Sequence, residues 1–257
     1  MREKIILVTG ATSGLGESIV KLLASKGHIV YAGFRKKEKI VGTKSSITFI
    51  KLDVTSEKQC KQVVADIFKK EGKIDVLINN AGYTLTGPTD RYLVEDYINL
   101  LAVNSVAPYR LMKNVLPYMR RQKFGNIINI TSLNGMVSMP NFGLYSSSKF
   151  ALQSLGEAVR FELEGDGIWV TNIVPGAIAG GKRKIAHKTA REKFLLLRIF
   201  LPMVTKDSVA KSISKIIKCS KPPMNVILGR DAKVIVFLKR FLPSILWERL
   251  MSYVWNK

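Results

Sequence analysis

Residues Lys4–Leu23 read KIILVTGATSGLGESIVKLL, and the fold follows from how this stretch is parsed. Lys4–Thr9 is a short apolar run, the pattern of a parallel strand buried on both faces. Gly10, Gly14 and Gly16 come next, and Leu15, Ile19, Leu22 and Leu23 then recur with helical period. Strand, glycine turn and helix in that order let a backbone approach a pyrophosphate, while the helix N-terminus attracts its negative charge. The spacing Gly-x-x-x-Gly-x-Gly differs from the commoner Gly-x-Gly-x-x-Gly fingerprint, so the glycines alone leave the ligand open.

The alternation continues outward. His28–Gly33, Ile47–Leu52 and Ile74–Ile78 read as strands, and Val63, Val64, Ile67 and Phe68 form a helical stripe between the last two. This predicts an α/β chain whose parallel sheet, of about seven strands, carries helices on both faces: one doubly wound Rossmann-type domain over residues 1–257. Asp53-Val54 and Asn79-Asn80-Ala81-Gly82 follow strand ends, where ligands of such sheets bind. A long helical region is expected from about Thr89 to Arg121, bent or interrupted at Pro108 and Pro117, with Asn104 inside it. Asn126–Ile130 is the next strand and delivers Thr131 and Ser132 at its end, and Met224–Leu228 is the last.

The second strand ends in Phe34-Arg35-Lys36-Lys37, where a site built for a free ribose carries an acidic residue. Arg35 instead suits bidentate binding of a 2′-phosphate, with Ser13 adding a hydroxyl donor, so NADP(H) is expected in preference to NAD(H). A basic surface turn is the other reading.

Ser132–Lys149 reads SLNGMVSMPNFGLYSSSK and ends in Tyr-x-x-x-Lys. On a helix that spacing puts Tyr145 and Lys149 on one face, one turn apart. A free tyrosine titrates near ~10 and exchanges protons poorly at neutral pH; a neighbouring ammonium favours its phenolate. A helix N-terminus capped by Asn141, and a cationic nicotinamide, would act in the same direction.

Composition narrows the classes. The chain has 257 residues, enough for a well-buried core. Cys60 and Cys219 show no Cys-x-x-Cys spacing and His28 and His187 are the only histidines, so no metal site is expected and a reducing, cytoplasmic setting fits. Met1–Gly10 reads as a first strand and not as a signal peptide, and no apolar run reaches the ~20 residues of a membrane-spanning helix. Residues 182–257 hold 18 Lys/Arg against 4 Asp/Glu, while residues 1–181 hold 23 against 15. A basic excess so placed suits an anionic membrane surface; solubility alone also accounts for it.

Taken together, Thr9-Gly10-x-x-x-Gly14-x-Gly16, Asp53, Asn79-Asn80-Ala81-Gly82, Asn104, Ser132, Tyr145-x-x-x-Lys149 and Pro175-Gly176 resemble the short-chain dehydrogenase/reductase family in its compact branch. The resemblance covers roughly Lys4 to Gly176 and implies an enzyme interconverting a carbonyl and an alcohol. By it, Tyr145 is the general acid/base, Lys149 activates it and holds the nicotinamide ribose, Ser132 hydrogen-bonds the reacting oxygen, and Asn104 holds a water in a relay to Lys149. Gly10, Ser13, Gly14, Leu15 and Gly16 would take the pyrophosphate end of the cofactor. Asp53 would meet its adenine amino group and Val54 its ring, and Asn80, Ala81 and Gly82 would line the adenosine ribose. Pro175, Gly176 and a backbone donor at Ile178 would complete the nicotinamide end. Family members often carry a threonine four residues after the glycine of Pro-Gly; here that position is Gly180. A homodimer or homotetramer is implied, with Ser146, Ser147, Ser148 and Ala151 permitting close approach of a partner.

The C-terminal third is read from the residues. Residues 177–205 hold Gly180-Gly181, a cationic stretch and the apolar run Phe194–Val204, a candidate lid over an apolar (lipid-, sterol- or retinoid-like) substrate. Residues 231–257 form a basic amphipathic segment: Val234, Phe237, Leu238 and Phe241 share a face beside Lys233, Lys239 and Arg240, and the stripe resumes at Leu246, Leu250, Tyr253 and Val254. Trp247 and Trp255 add interfacial aromatics. Membrane contact, closure of the domain and pairing with another subunit all fit this pattern. A non-catalytic NADP(H)-sensing regulator is the rival function on the same fold. Nucleic acid is not an expected partner, since helix-turn-helix, zinc and aromatic-platform signals are all missing.

Overall fold

A computed structural model of the chain describes residues 3–35, 46–179 and 203–255. Seven parallel strands form one sheet: β1 (Ile5–Val8), β2 (Ile29–Phe34), β3 (Ile47–Lys51), β4 (Val76–Asn79), β5 (Gly125–Ile130), β6 (Ile168–Pro175) and β7 (Asn225–Leu228). Their order, β3-β2-β1-β4-β5-β6-β7, reverses direction between β1 and β4. At that switch point the connections leave to opposite sides and open a crevice at the carboxyl ends of the strands.

Alternation along the strands builds the two layers. In β1, Ile5 and Leu7 face a core shared with α2 (Glu57–Glu71), α4 (Ala107–Gln122) and α5 (Gly143–Glu162). Ile6 and Val8 face a second core with α1 (Gly14–Ser25) and α6 (Lys206–Ile216). A third apolar cluster joins Leu133, Val137 and Met139 to α7 (Arg230–Phe241) and α8 (Ser244–Trp255). No helix among the described residues is long and apolar enough to cross a membrane.

The expected helix over Thr89–Arg121 is divided. A 3-10 turn at Thr89–Arg91 precedes α3 (Val94–Leu101), a π turn at Ala102–Val106 follows, and α4 continues. Pro108 is the cause: it has no N–H for the carbonyl of Asn104 four residues back, and its ring crowds that carbonyl. The wider turn, in which Ala107 N–H donates to Ala102, absorbs the conflict. Pro117 lies inside α4 without dividing it.

Three further expectations are corrected. Asn141 does not cap α5: the cap position is Phe142, and Asn141 sits in a turn at φ 64° with its carbonyl accepting from Gly87. Of the small residues expected to face a partner, Ser146 and Ser148 are buried within the chain, because consecutive positions on a helix cannot share one face; Ala151 is exposed. Trp247 is also turned inward, at 7% exposure. The lid positions 180–202, Lys36-Lys37 and the Trp255 side chain lie outside the described residues.

Candidate active site

Two adjoining cavities occupy the crevice and share Gly10, Ala81, Gly82 and Tyr83 as a common wall. One, of about 340 Å³, is lined by Ser13, Gly14, Leu15, Asn80, Ser132, Tyr145, Lys149, Pro175, Gly176 and Ile178. The other, of about 570 Å³, is lined by Arg35, Asp53 and Val54. Two of the residues predicted from sequence lie behind these walls. Gly16 is buried beneath the glycine turn, where an added Cβ would overlap the carbonyl of Gly10, and Asn104 is fully buried.

The glycine turn is clamped from the β4 side. Thr9 Oγ1 accepts from the N–H groups of Asn80 (3.0 Å) and Ala81 (2.9 Å), while Asn80 Nδ2 donates to the carbonyls of Thr9 (2.9 Å) and Gly10 (3.0 Å). Gly10 adopts φ 61°, and a Cβ there would stand 2.9 Å from Ala81 Cα, so no larger residue fits the seam. Ser13 occupies the N-cap position of α1 in extended conformation, yet its side chain makes no capping bond. The first-turn N–H groups and the Ser13 hydroxyl therefore remain available to an anion. This cradle fits a dinucleotide pyrophosphate.

In the second cavity, Asp53 Oδ1 accepts from Thr55 N (2.9 Å) and Thr55 Oγ1 (2.6 Å). Those two bonds, helped by the charges of Arg35 and Arg110, hold its carboxyl below the ordinary range, so it stays ionised at neutral pH. Arg35 is exposed on the cavity wall at the end of β2.

The catalytic candidates meet in the first cavity. Ser132 Oγ accepts from Asn134 N (3.2 Å) at the end of β5, which leaves its own O–H to donate. Tyr145 and Lys149 project from the first two turns of α5, with Lys149 Nζ 6.0 Å from the Tyr145 ring centre. The Lys149 ammonium donates to the carbonyl of Ile130 (2.9 Å), and burial pushes its pKa down to about 8. Asn104 spends its amide on the protein: Nδ2 donates to Tyr83 O (2.9 Å) and Ser148 Oγ (3.0 Å), and Oδ1 accepts from Tyr83 N (3.0 Å). Residue 108 is proline, so the Asn104 backbone carbonyl lacks the i+4 donor of a regular helix.

Below Tyr145 and Lys149, α5 rests on a ladder of amides. Asn79, Asn129, Asn172 and Asn225 are direct neighbours on four adjacent strands. Asn79 Nδ2 donates to Asn129 Oδ1 (2.9 Å), and Asn129 Nδ2 to Asn172 Oδ1 (3.1 Å). Asn172 Nδ2 donates to the Gln153 carbonyl of α5 (3.1 Å), and Gln153 Nε2 to Asn225 Oδ1 (2.7 Å). Gly156 lets the helix backbone sit directly on this ladder.

At the other rim, Asp231 Oδ2 in the first turn of α7 accepts from Ala177 N (2.7 Å) and so fixes the Pro175-Gly176 turn. Ile178 pairs with Val204, joining the two ends of the 180–202 segment. The bridge bonds use Ala177 O and Ala179 N, leaving the Ile178 N–H outside them. Sequence reasoning missed Thr9 as a clamp, Tyr83 as shared wall and Asp231 as anchor. The Thr-Gly pair closing β1 was a signal for the first; the other two carried none.

Comparison with known proteins agrees with this geometry. The family model for short chain dehydrogenases matches residues 4–190. A 3-ketodihydrosphingosine reductase from Bacteroides thetaiotaomicron is 32% identical, over 98% of this chain and 97% of that protein. Among solved structures, a short-chain dehydrogenase from Streptomyces avermitilis superposes with a TM-score of 0.79 at 28% identity, covering 98% of this chain and 97% of that one. ElxO with NADP bound superposes with a TM-score of 0.76 at 26% identity, covering 88% of this chain and 96% of that one. A glycine cradle, an amide-braced helix and a tyrosine beside a buried lysine are thus set in a fold shared with these proteins, and the chain belongs to the short-chain dehydrogenase family of oxidoreductases.

Proposed function

We propose that this protein is an NADP(H)-dependent reductase of a long-chain, apolar ketone, with Tyr145 as its proton donor. The observation that carries the reading is the convergence of Ser132, Tyr145 and Lys149 on one cavity that adjoins the Arg35 cavity through a shared wall. Arg35 with no acidic residue at the end of β2 supports the preference for a 2′-phosphate.

The residues divide the work as follows. The first turn of α1 and Ser13 hold the pyrophosphate, Arg35 the 2′-phosphate, and Asp53 and Val54 the adenine. When bound, the nicotinamide supplies the hydride. Ser132 donates its O–H to the substrate carbonyl oxygen and so stabilises the negative charge that develops there. Tyr145 gives its phenolic proton to the same oxygen, so hydride at carbon and proton at oxygen complete the alcohol. Lys149, protonated below about pH 8, stabilises the phenolate left behind. Asn104 would hold a water in a relay that returns a proton to Lys149.

The relative named for 3-ketodihydrosphingosine, matched over nearly its whole length, supports a long-chain ketone. A homodimer or homotetramer is supported by the exposed apolar residues Val94, Ile98, Tyr109 and Phe161 on α3–α5. The test is NADPH oxidation with ketones of increasing chain length. The reading requires kcat/KM to rise with length, by up to about tenfold for each one or two methylenes buried; a preference for short polar carbonyls would refute it.

A further inference from the structure

The inner sides of α7 and α8 are satisfied, with Ala232 and Trp247 buried against Leu133, Val137 and Met139. Their outer sides are not. Phe237 is 60% exposed, Phe241 65%, Ile245 58% and Leu246 45%, gathered at the corner where the two helices meet. The Phe237 and Phe241 rings lie 4.6 Å apart, so they form one apolar knob and not scattered contacts. Cations are interleaved with it: Lys233, Lys239, Arg240 and Arg249 are all exposed, and the Arg240 guanidinium lies 5.9 Å from the Phe241 ring centre. Of the two acids on these helices, Asp231 is engaged by Ala177, which leaves Glu248 alone on the exposed surface.

Another exposed apolar surface differs in charge. On α3, Val94 and Ile98 stand beside Glu95 and Asp96, acids that anionic headgroups would repel. A corner of bulky apolar side chains where exposed cations outnumber the single exposed acid, Glu248, instead matches a lipid interface, where the apolar tips enter the acyl boundary and the cations meet anionic headgroups. We infer that the outer face of α7–α8 is a docking surface for an anionic phospholipid bilayer. The same helices wall the apolar cluster next to Ser132, and Asp231 ties them to the Pro175-Gly176 turn. Resting on the long-chain ketone reading, this places the substrate's entry on the lipid side of the molecule.

Vesicle flotation with the full chain tests the docking. The chain floats with vesicles containing phosphatidylglycerol, stays in solution with phosphatidylcholine alone, and is released as salt rises, because exposed charges are screened. Two variants, Phe237→Ser with Phe241→Ser and Lys233→Glu with Arg240→Glu, each bind at least about tenfold more weakly. Both keep the oligomeric state and the turnover of a water-soluble ketone. Equal binding to neutral vesicles, undiminished binding by the variants, or no flotation at all would overturn the assignment. A change of oligomeric state in the Phe237→Ser, Phe241→Ser variant would do so too, by giving the face to a second copy of the chain. Flotation is read without turnover, so its result is independent of the reductase assignment. Anionic vesicles that fail to speed reduction of a long-chain ketone relative to a short one would overturn lipid-side entry.

Discussion

Gly156→Ala adds a single methyl group, at the point where the catalytic helix touches the amide ladder. The new Cβ would overlap Asn172 Oδ1 and stand 2.9 Å from Asn129 Nδ2, against the 3.4–4 Å of ordinary contact. Either α5 rises by about half an ångström or more, or the Asn129–Asn172 bond opens. Opening it strands two buried amide groups at about 1–3 kcal/mol each, and alanine's better helix propensity returns about 1 kcal/mol. The expected loss is therefore roughly 3 kcal/mol, read by urea denaturation. Because Tyr145 and Lys149 ride on the same helix, a shift that relieves the overlap also moves them, and misplacement of about 1 Å costs around a hundredfold in kcat. Asn172→Ala in the same chain removes the overlapping oxygen, so the double variant should lose clearly less than the sum of the two single losses. A Gly156→Ala protein with unchanged stability and kcat, or strict additivity of the two substitutions, would refute the ladder as the seat of α5.

Arg35→Asp removes a charge-assisted contact worth about 2 kcal/mol and sets a carboxylate in its place, so NADPH affinity should fall roughly thirtyfold or more while NADH affinity falls far less. Equal losses in a fluorescence titration would mean that Arg35 does not meet the phosphate. Lys149 offers a pH test. Its pKa is lowered by burial to about 8, so its charge is present below that pH and lost as pH rises through it. NADPH affinity should accordingly be flat below about pH 8 and weaken above it, and a profile that stays flat to about pH 9.5 would remove Lys149 from the cofactor site.

The sheet was legible because its signal is local: Lys4–Leu23 holds strand, turn and helix within reach of each other, and the same period repeats to Ile130, although β6 (Ile168–Pro175) was not read as a strand. The residues that meet in the crevice were legible as motifs at strand ends and, for Tyr145 and Lys149, as one face of a helix. The amide ladder was not. Asn79, Asn129, Asn172 and Asn225 each look like a polar residue in or beside a strand, and only the register of four strands turns them into one network. Pro108 gave notice of a break in the helix, yet the π turn that resolves it depends on packing around Asn104. Trp247 was misplaced for a related reason: a stripe of apolar and basic residues gives a helix a face, but whether a given aromatic points to solvent or to Leu133 and Val137 is decided by what it packs on. Asn141 failed as a cap because its backbone sits at φ 64°, outside the extended region that an N-cap residue adopts, and the cap position falls to Phe142.

The proposed chemistry rests most on the phenol of Tyr145, and Tyr145→Phe isolates it by removing one oxygen from a ring that is already buried. NADPH binding should persist within a few-fold, while reduction of the preferred ketone falls by about 10²–10⁴-fold. A Tyr145→Phe protein that binds NADPH and still reduces the ketone at a near-normal rate would contradict the account.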